Sequence, residues 1–143
     1  MGRKKGGLVS DKLSDLFTRI RNGQLARRVS ILAPYCRLSC AVLAVFIERG
    51  YIRSVREIEI APRPAPQFKQ LEVFLKYDEE GQGAIKKIKR VSKPCRKVYS
   101  KIDDLSRNGR GLGCWILSTP QGVMHCGKAR ERRVGGEVLG EIM

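Results

Sequence analysis

The sequence predicts an α+β fold of two small subdomains: an N-terminal α/β unit with two helices on a small sheet, and a mostly β C-terminal unit with one short helix. Three observations predict it. Two apolar stripes of helical period lie within the first 50 residues, period-2 alternation follows at 51–60 and 71–77, and beyond an acidic, Gly-rich turn the apolar segments become short and punctuated by Gly and Pro. A chain of 143 residues is long enough for one ordinary domain or two small ones.

Residues 1–9 read as a basic, Gly-rich tail. From Ser10 the period changes: Leu13, Leu16, Phe17 and Ile20 fall at i, i+3, i+4, i+7, with Ser10 or Asp11 as cap and Asn22-Gly23 as the stop. Residues 28–34 form a short strand ended by Pro34. Leu38, Ala41, Val42, Val45 and Phe46 repeat the helical stripe, and Gly50 closes it. Tyr51–Ile60 and Leu71–Tyr77 alternate as strands, joined by a Pro-rich connector at 61–66 that cannot enter a ladder and reads as a stiff exposed loop. The turn Asp78–Gly83 marks the boundary between an N-terminal subdomain at 10–80 and a C-terminal one at 81–143. There, Gly111–Thr119 is a Gly turn feeding a buried strand that ends in two hydroxyls, and Pro120-Gln121-Gly122 is a tight turn. Val123-Met124 is the returning strand, His125–Arg133 a short basic helix, Gly135-Gly136 its close and Glu137–Met143 a final strand.

Charge narrows the function. There are 29 Lys+Arg against 14 Asp+Glu, a formal charge of +15, which a compact chain sustains best against a polyanion. Residues 86–110 hold ten Lys/Arg against Asp103 and Asp104, interleaved with Val91, Val98, Tyr99 and Ile102, so this is a folded basic surface and not a solvated tail. Membrane insertion is excluded as the partner mode: the longest apolar run, Ala41–Ile47, stops at Glu48-Arg49. The N-terminus lacks the apolar stretch of a secretory signal and a long amphipathic leader.

Catalysis finds no footing. His125 is the single histidine, no nucleophile–base set is visible, and Gly109-Arg110-Gly111-Leu112-Gly113 opens onto a strand where a nucleotide fingerprint would open onto a helix. No small-molecule substrate or cofactor is expected. The five cysteines, an odd number without the CxxC-type pairs of a metal site, read mostly as small buried hydrophobes in a reducing compartment. Ser118 and Thr119 at a strand end, before a Gly turn, offer hydroxyls and backbone amides suited to phosphate, ribose and base edges. A Ser-Thr pair in a turn more often caps its own backbone, and taken alone these two residues favour that reading.

The pattern Gly113-x-x-Ile116-Leu117-Ser118-Thr119-x-x-Gly122-Val123-Met124-x-x-x-x-Ala129-Arg130 resembles the signature of the bacterial-type small-subunit ribosomal protein eight family. Leu16–Gln24, Glu48–Ile52, Leu75–Tyr77, Arg90–Pro94 with Tyr99, and Gly135-Gly136-Glu137 resemble its other blocks in order, over residues 11–138. The resemblance implies a structural protein that binds the central domain of small-subunit rRNA and supports subunit assembly and translation, with an N-terminal half that also touches RNA and neighbouring small-subunit ribosomal proteins. It implies an rRNA site of Ser118, Thr119, Gly122 and Glu137, flanked by Lys93, Arg96, Tyr99 and Lys128. Cys95 stands where the family usually has Gly, and Pro120-Gln121 where it has Ser-Lys, which removes a donor and a charge that Arg130, Arg132 and Arg133 offset. These departures and the cysteine usage point to an organellar member, in the mitochondrial matrix before the plastid or the bacterial cytoplasm. The rival functions are a translational repressor acting on an rRNA-mimicking messenger and a general basic nucleic-acid-binding protein.

Overall fold

The computed structural model describes residues 11–60, 68–101 and 113–143. The expected tail at 1–9, the Pro-rich connector at 61–66 and the stretch 102–112 lie outside the described residues. By contact the chain divides into two compact units, one of Asp15–Ala84 and one of Ile85–Met143 with the residues up to Ser14. Helices and antiparallel sheets make up both, as an α+β chain requires.

In the first unit the elements run α1 (Lys12–Leu25), β1 (Ser30–Pro34), α2 (Arg37–Glu48), β2 (Ile52–Ile60) and β3 (Phe68–Leu75). The sheet is antiparallel in the order β1-β3-β2. Leu71, Val73 and Leu75 occupy one face of β3 and are buried, as are Ile31, Ala33 and Ile52 of its neighbours. The helical stripes Leu16, Phe17, Ile20 and Val42, Val45, Phe46 are also buried, and Phe17 stacks on Phe46 at 6.0 Å between ring centroids. Burying each such side chain contributes about 1.5–3 kcal/mol.

The α1 stop differs from the sequence expectation. Gly23 lies inside the helix, and a Cβ there would sit 2.4 Å from Ile31 Cγ2 and 3.1 Å from Leu75 Cδ1. It is a close-approach residue between helix and sheet. The chain instead leaves α1 through Arg27 at φ 56, with Arg28 N donating to Gly23 O at 2.9 Å and Arg27 N to Gln24 O at 3.0 Å. Gly50 does close α2, at φ +80, with Tyr51 N donating to Phe46 O at 2.8 Å. β3 starts earlier and stops earlier than its alternation suggested, because the Asp78 turn begins at once: Ala84 N donates to Lys76 O at 2.9 Å, and Tyr77 donates its hydroxyl to Arg28 O at 2.6 Å.

The second unit contains β4 (Ile88–Arg90), β5 (Tyr99–Ser100), β6 (Cys114–Thr119), β7 (Gly122–His125), α3 (Cys126–Glu131) and β8 (Gly136–Ile142). The last strand is the hub of the sheet: the order is β4-β8-β6-β7, and β5 also pairs with β8. Ile116, Leu117, Met124, Ala129, Val138, Leu139 and Ile142 supply its core. Of the five cysteines Cys114 and Cys126 are buried, Cys36 and Cys40 are half-buried and Cys95 is exposed, so fewer of them are core residues than the sequence suggested.

Asp11 caps α1, accepting from Ser14 N at 3.1 Å and from the Ser14 hydroxyl, and it pairs with Arg90 Nε at 3.3 Å. Burial raises its carboxyl pKa, but the Ser14 hydrogen bonds and the Arg90 charge outweigh that and hold it below the ordinary value. A carboxyl lowered in the folded state stabilises above its unfolded pKa, and that contribution disappears as pH falls through the folded one. Asp11→Ala should therefore cost about 0.5–2 kcal/mol at neutral pH, with the gap to the parent chain closing in acid. Thermal melts across a pH series check this, and a gap constant with pH would contradict it.

Candidate nucleic-acid interface

The β6–β7 hairpin positions the hydroxyl pair. Thr119 pairs with Gly122 across the two-residue loop Pro120-Gln121, and Gly122 takes φ +116, where L side chains are strained. Proline fits the first loop position because its φ is already set near the value a type I turn needs. Thr119 holds this turn itself: its hydroxyl donates to Gly122 O at 2.8 Å and accepts from Gln121 N at 3.1 Å. Ser118, one residue earlier, projects to the opposite face and has no side-chain hydrogen bond among the described residues. The two hydroxyls thus have different employments.

The register gathers further predicted residues around Ser118. Glu137 in β8 lies directly opposite Ser118 on one side and Tyr99 of β5 on the other. Directly opposed residues of antiparallel strands share a face, so Tyr99, Glu137 and Ser118 form one row across three strands. The next row, Leu117 with Val138 and Met124, is buried core. Tyr99 is 68% exposed, and the Glu137 carboxylate has no hydrogen bond or ion pair among the described residues.

Gly136 sets the spacing of this row. A Cβ on it would meet Ser118 O at 2.1 Å and Thr119 Cα at 3.1 Å, so only glycine lets β8 pass the tip of β6 this closely. Sequence reading took Gly136 for the end of a helix; its packing role needs the β6–β8 pairing, which is not local.

Lys93 and Arg96 face each other across a tight turn at Pro94-Cys95, with Lys93 N donating to Arg96 O at 3.0 Å and Arg96 N to Lys93 O at 2.9 Å. Both side chains are exposed and have no ion pair among the described residues. The turn is pinned by Ser92, a buried residue that sequence reading did not single out as functional. Its hydroxyl donates to Val98 O at 3.2 Å and accepts from Val98 N at 2.8 Å, while Ser92 N donates to Val138 O at 3.1 Å. Its inclusion in the block Arg90–Pro94 was the only signal available.

Lys128 lies in α3, whose first turn is capped by His125 Nδ1 accepting from Lys128 N at 3.3 Å. The helix exits through Arg133 at φ 56, and Val134 N donates to Ala129 O at 3.0 Å. Arg132 donates to Gln121 Oε1 at 3.4 Å, which brings a guanidinium to the loop where Pro120-Gln121 carries no charge. Beneath, a hydrogen bond from Cys114 pulls the Cys126 thiol down to about 5, against burial and with help from the Trp115 backbone, Arg130 and His125. Among the described residues no group of three or more His, Cys, Asp or Glu could hold a metal ion.

All eight predicted residues thus lie in the β-rich unit: three in one strand row, two at the hairpin tip, two on the Ser92-pinned turn and one on α3. The family model for ribosomal protein S8 matches residues 11–143. The small ribosomal subunit protein uS8 of Paramagnetospirillum magneticum is 50% identical over 134 residues, covering 94% of this chain and 98% of that protein. The uS8 of Rhizorhabdus wittichii is 49% identical over the same shares, and that of Acidiphilium cryptum 49% identical over 92% of this chain and 97% of its own. A match of this extent along both units places the chain in the ribosomal protein S8 family.

Proposed function

We propose that the chain is a structural, non-enzymatic constituent of the small ribosomal subunit that grips small-subunit rRNA with its 81–143 subdomain, on a surface built around the row Tyr99–Glu137–Ser118. The observation that carries the reading is that Ser118 and Glu137, adjacent on an open sheet face, lack partners among the described residues while Lys93 and Arg96, exposed and unpaired among those residues, occupy the neighbouring Ser92-pinned turn. The row suits base edges and 2′-hydroxyls, with the carboxylate accepting from an amino group or a hydroxyl and Tyr99 offering a stacking face. Lys93, Arg96 and Lys128 supply phosphate contacts. Subdomain 10–80 touches RNA and neighbouring ribosomal proteins, and the central domain of the rRNA is the docking region that the family resemblance supports. Cysteine usage and the departures at Cys95 and Pro120-Gln121 support a mitochondrial ribosome before a plastid or bacterial one, which sedimentation of fractionated organelles checks.

The hydroxyl pair supplies the test. Ser118→Ala should weaken binding of a small-subunit rRNA fragment by about three- to tenfold, the worth of one hydrogen bond, with an unchanged melting temperature. Thr119→Ala should lower the melting temperature, because it opens the turn, and weaken binding through that loss. Paired titrations and melts separate the two. Normal affinity in the Ser118 variant would remove that hydroxyl from the interface.

A further inference from the structure

We propose that Cys114 and Cys126 form a reversible disulfide site, oxidised by hydrogen peroxide, that ties β6 to α3 at the base of the β6–β7 hairpin. Cys114 opens β6, and Cys126 opens α3 directly after His125, which pairs with Ile116 across the hairpin. Both cysteines are free thiols and buried, at 4% and 6% exposure, and a hydrogen bond joins their side chains. The Trp115 backbone makes a second hydrogen bond to Cys126, and Cys114 Sγ lies 3.6 Å from Trp115 O. Arg130 and His125 are the titratable groups whose charge acts on the Cys126 sulfur.

Packing alone does not call for this arrangement. A cysteine that serves as a small hydrophobe keeps its proton, because burial penalises the thiolate. Cys40 behaves so: it is half-buried, and burial, with Glu57 and Cys36 nearby, pushes its thiol above the ordinary value. Cys126 is more deeply buried, yet the Cys114 hydrogen bond outweighs burial and draws its thiol down to about 5. Cys126 is therefore a thiolate at neutral pH, and the thiolate is the nucleophile. The second sulfur needed to complete a bond is already in contact with it. His125 and Gly127, on either side of Cys126, are only half-buried, which gives entry to a reagent as small as hydrogen peroxide.

The Cys126 thiolate attacks one peroxide oxygen, the O–O bond breaks, and the departing hydroxide takes a proton from solvent and leaves as water. Cys126 is then a sulfenic acid. The Cys114 sulfur attacks it, the S–O bond breaks, and the leaving hydroxide takes the Cys114 proton as a second water. The two sulfurs lose two electrons and the peroxide gains them. A dithiol reductant reverses the bond by exchange.

The test treats the reduced, unsubstituted chain with hydrogen peroxide at about pH 6, where an ordinary thiol is almost wholly protonated. Remaining thiols are alkylated during unfolding, and the peptides are mapped by mass spectrometry. A Cys114–Cys126 linkage should form at least about tenfold faster than in the same chain unfolded in urea, and dithiothreitol should release it. Three results would each overturn the proposal: Cys114 and Cys126 left free or paired with other cysteines, a linkage no faster in the folded chain than in the unfolded one, or Cys126 driven to sulfinic acid without linkage.

Discussion

Gly136→Ala should damage folding and RNA binding together. The added Cβ would lie 2.1 Å from Ser118 O and 2.9 Å from its carbonyl carbon, and both obstacles are backbone, so no side chain can swing aside. Relief requires β8 to move away from the end of β6. That breaks the Ser118–Glu137 register and with it the row Tyr99–Glu137–Ser118. Overpacking of this kind costs about 1–3 kcal/mol, and more where backbone must shift. For a unit of this size each kcal/mol lowers the melting temperature by about 4–8 °C. Affinity for rRNA should fall at least about tenfold, since the polar row is displaced as well as destabilised. Gly113, where an added Cβ would meet nothing nearer than Ile142 O at 3.7 Å, is the control: Gly113→Ala should be much milder. Equal effects at the two positions would show that the close approach at Gly136 is not what sets the site.

The largest effect on the salt dependence should come from the Lys93→Ala, Arg96→Ala double variant. With roughly six phosphate contacts the logarithm of the binding constant falls against log salt with a slope of about −4 to −5. Removing two cations should flatten that slope by about 2 and weaken all RNAs alike, because phosphate contacts carry no sequence information. Folding should be spared: both side chains are exposed, and the turn is held by backbone hydrogen bonds and by Ser92. Titrations at several salt concentrations read the slope directly. A parent-like slope in the double variant would remove this turn from the phosphate contacts.

Much of the fold was legible because its signals are local. The stripes of α1 and α2 and the alternation in β3 are periodicities within one element and are buried on one face as the period implies, and the stop at Gly50 is a local backbone signal; β2, by contrast, buries only Ile52 among its described side chains. The errors arose where the partner is distant in sequence. Gly23 has the composition of a helix stop but is fixed by contact with Ile31 and Leu75. β4 and β5 have three and two residues, too few for any period, and exist only because β8 supplies their ladders. The candidate site divides the same way. Ser118 and Thr119 stand side by side in sequence, yet only the hairpin geometry shows that Thr119 holds the turn while Ser118 is left open. Ser92 carried no periodic or charge signal, since its value lies in two hydrogen bonds to Val98 and one to Val138.

The central claim, that the Lys93–Arg96 turn lies against RNA beside the Ser118 row, can be read from its own tip. Cys95 is exposed there and suits a tethered iron chelate that generates hydroxyl radicals, with Cys36→Ser and Cys40→Ser removing the half-buried competitors. In assembled small subunits the account predicts strong cleavage of small-subunit rRNA confined to a few short segments and lost when the tether is omitted. An intact rRNA, from particles that demonstrably contain the labelled chain, would contradict it.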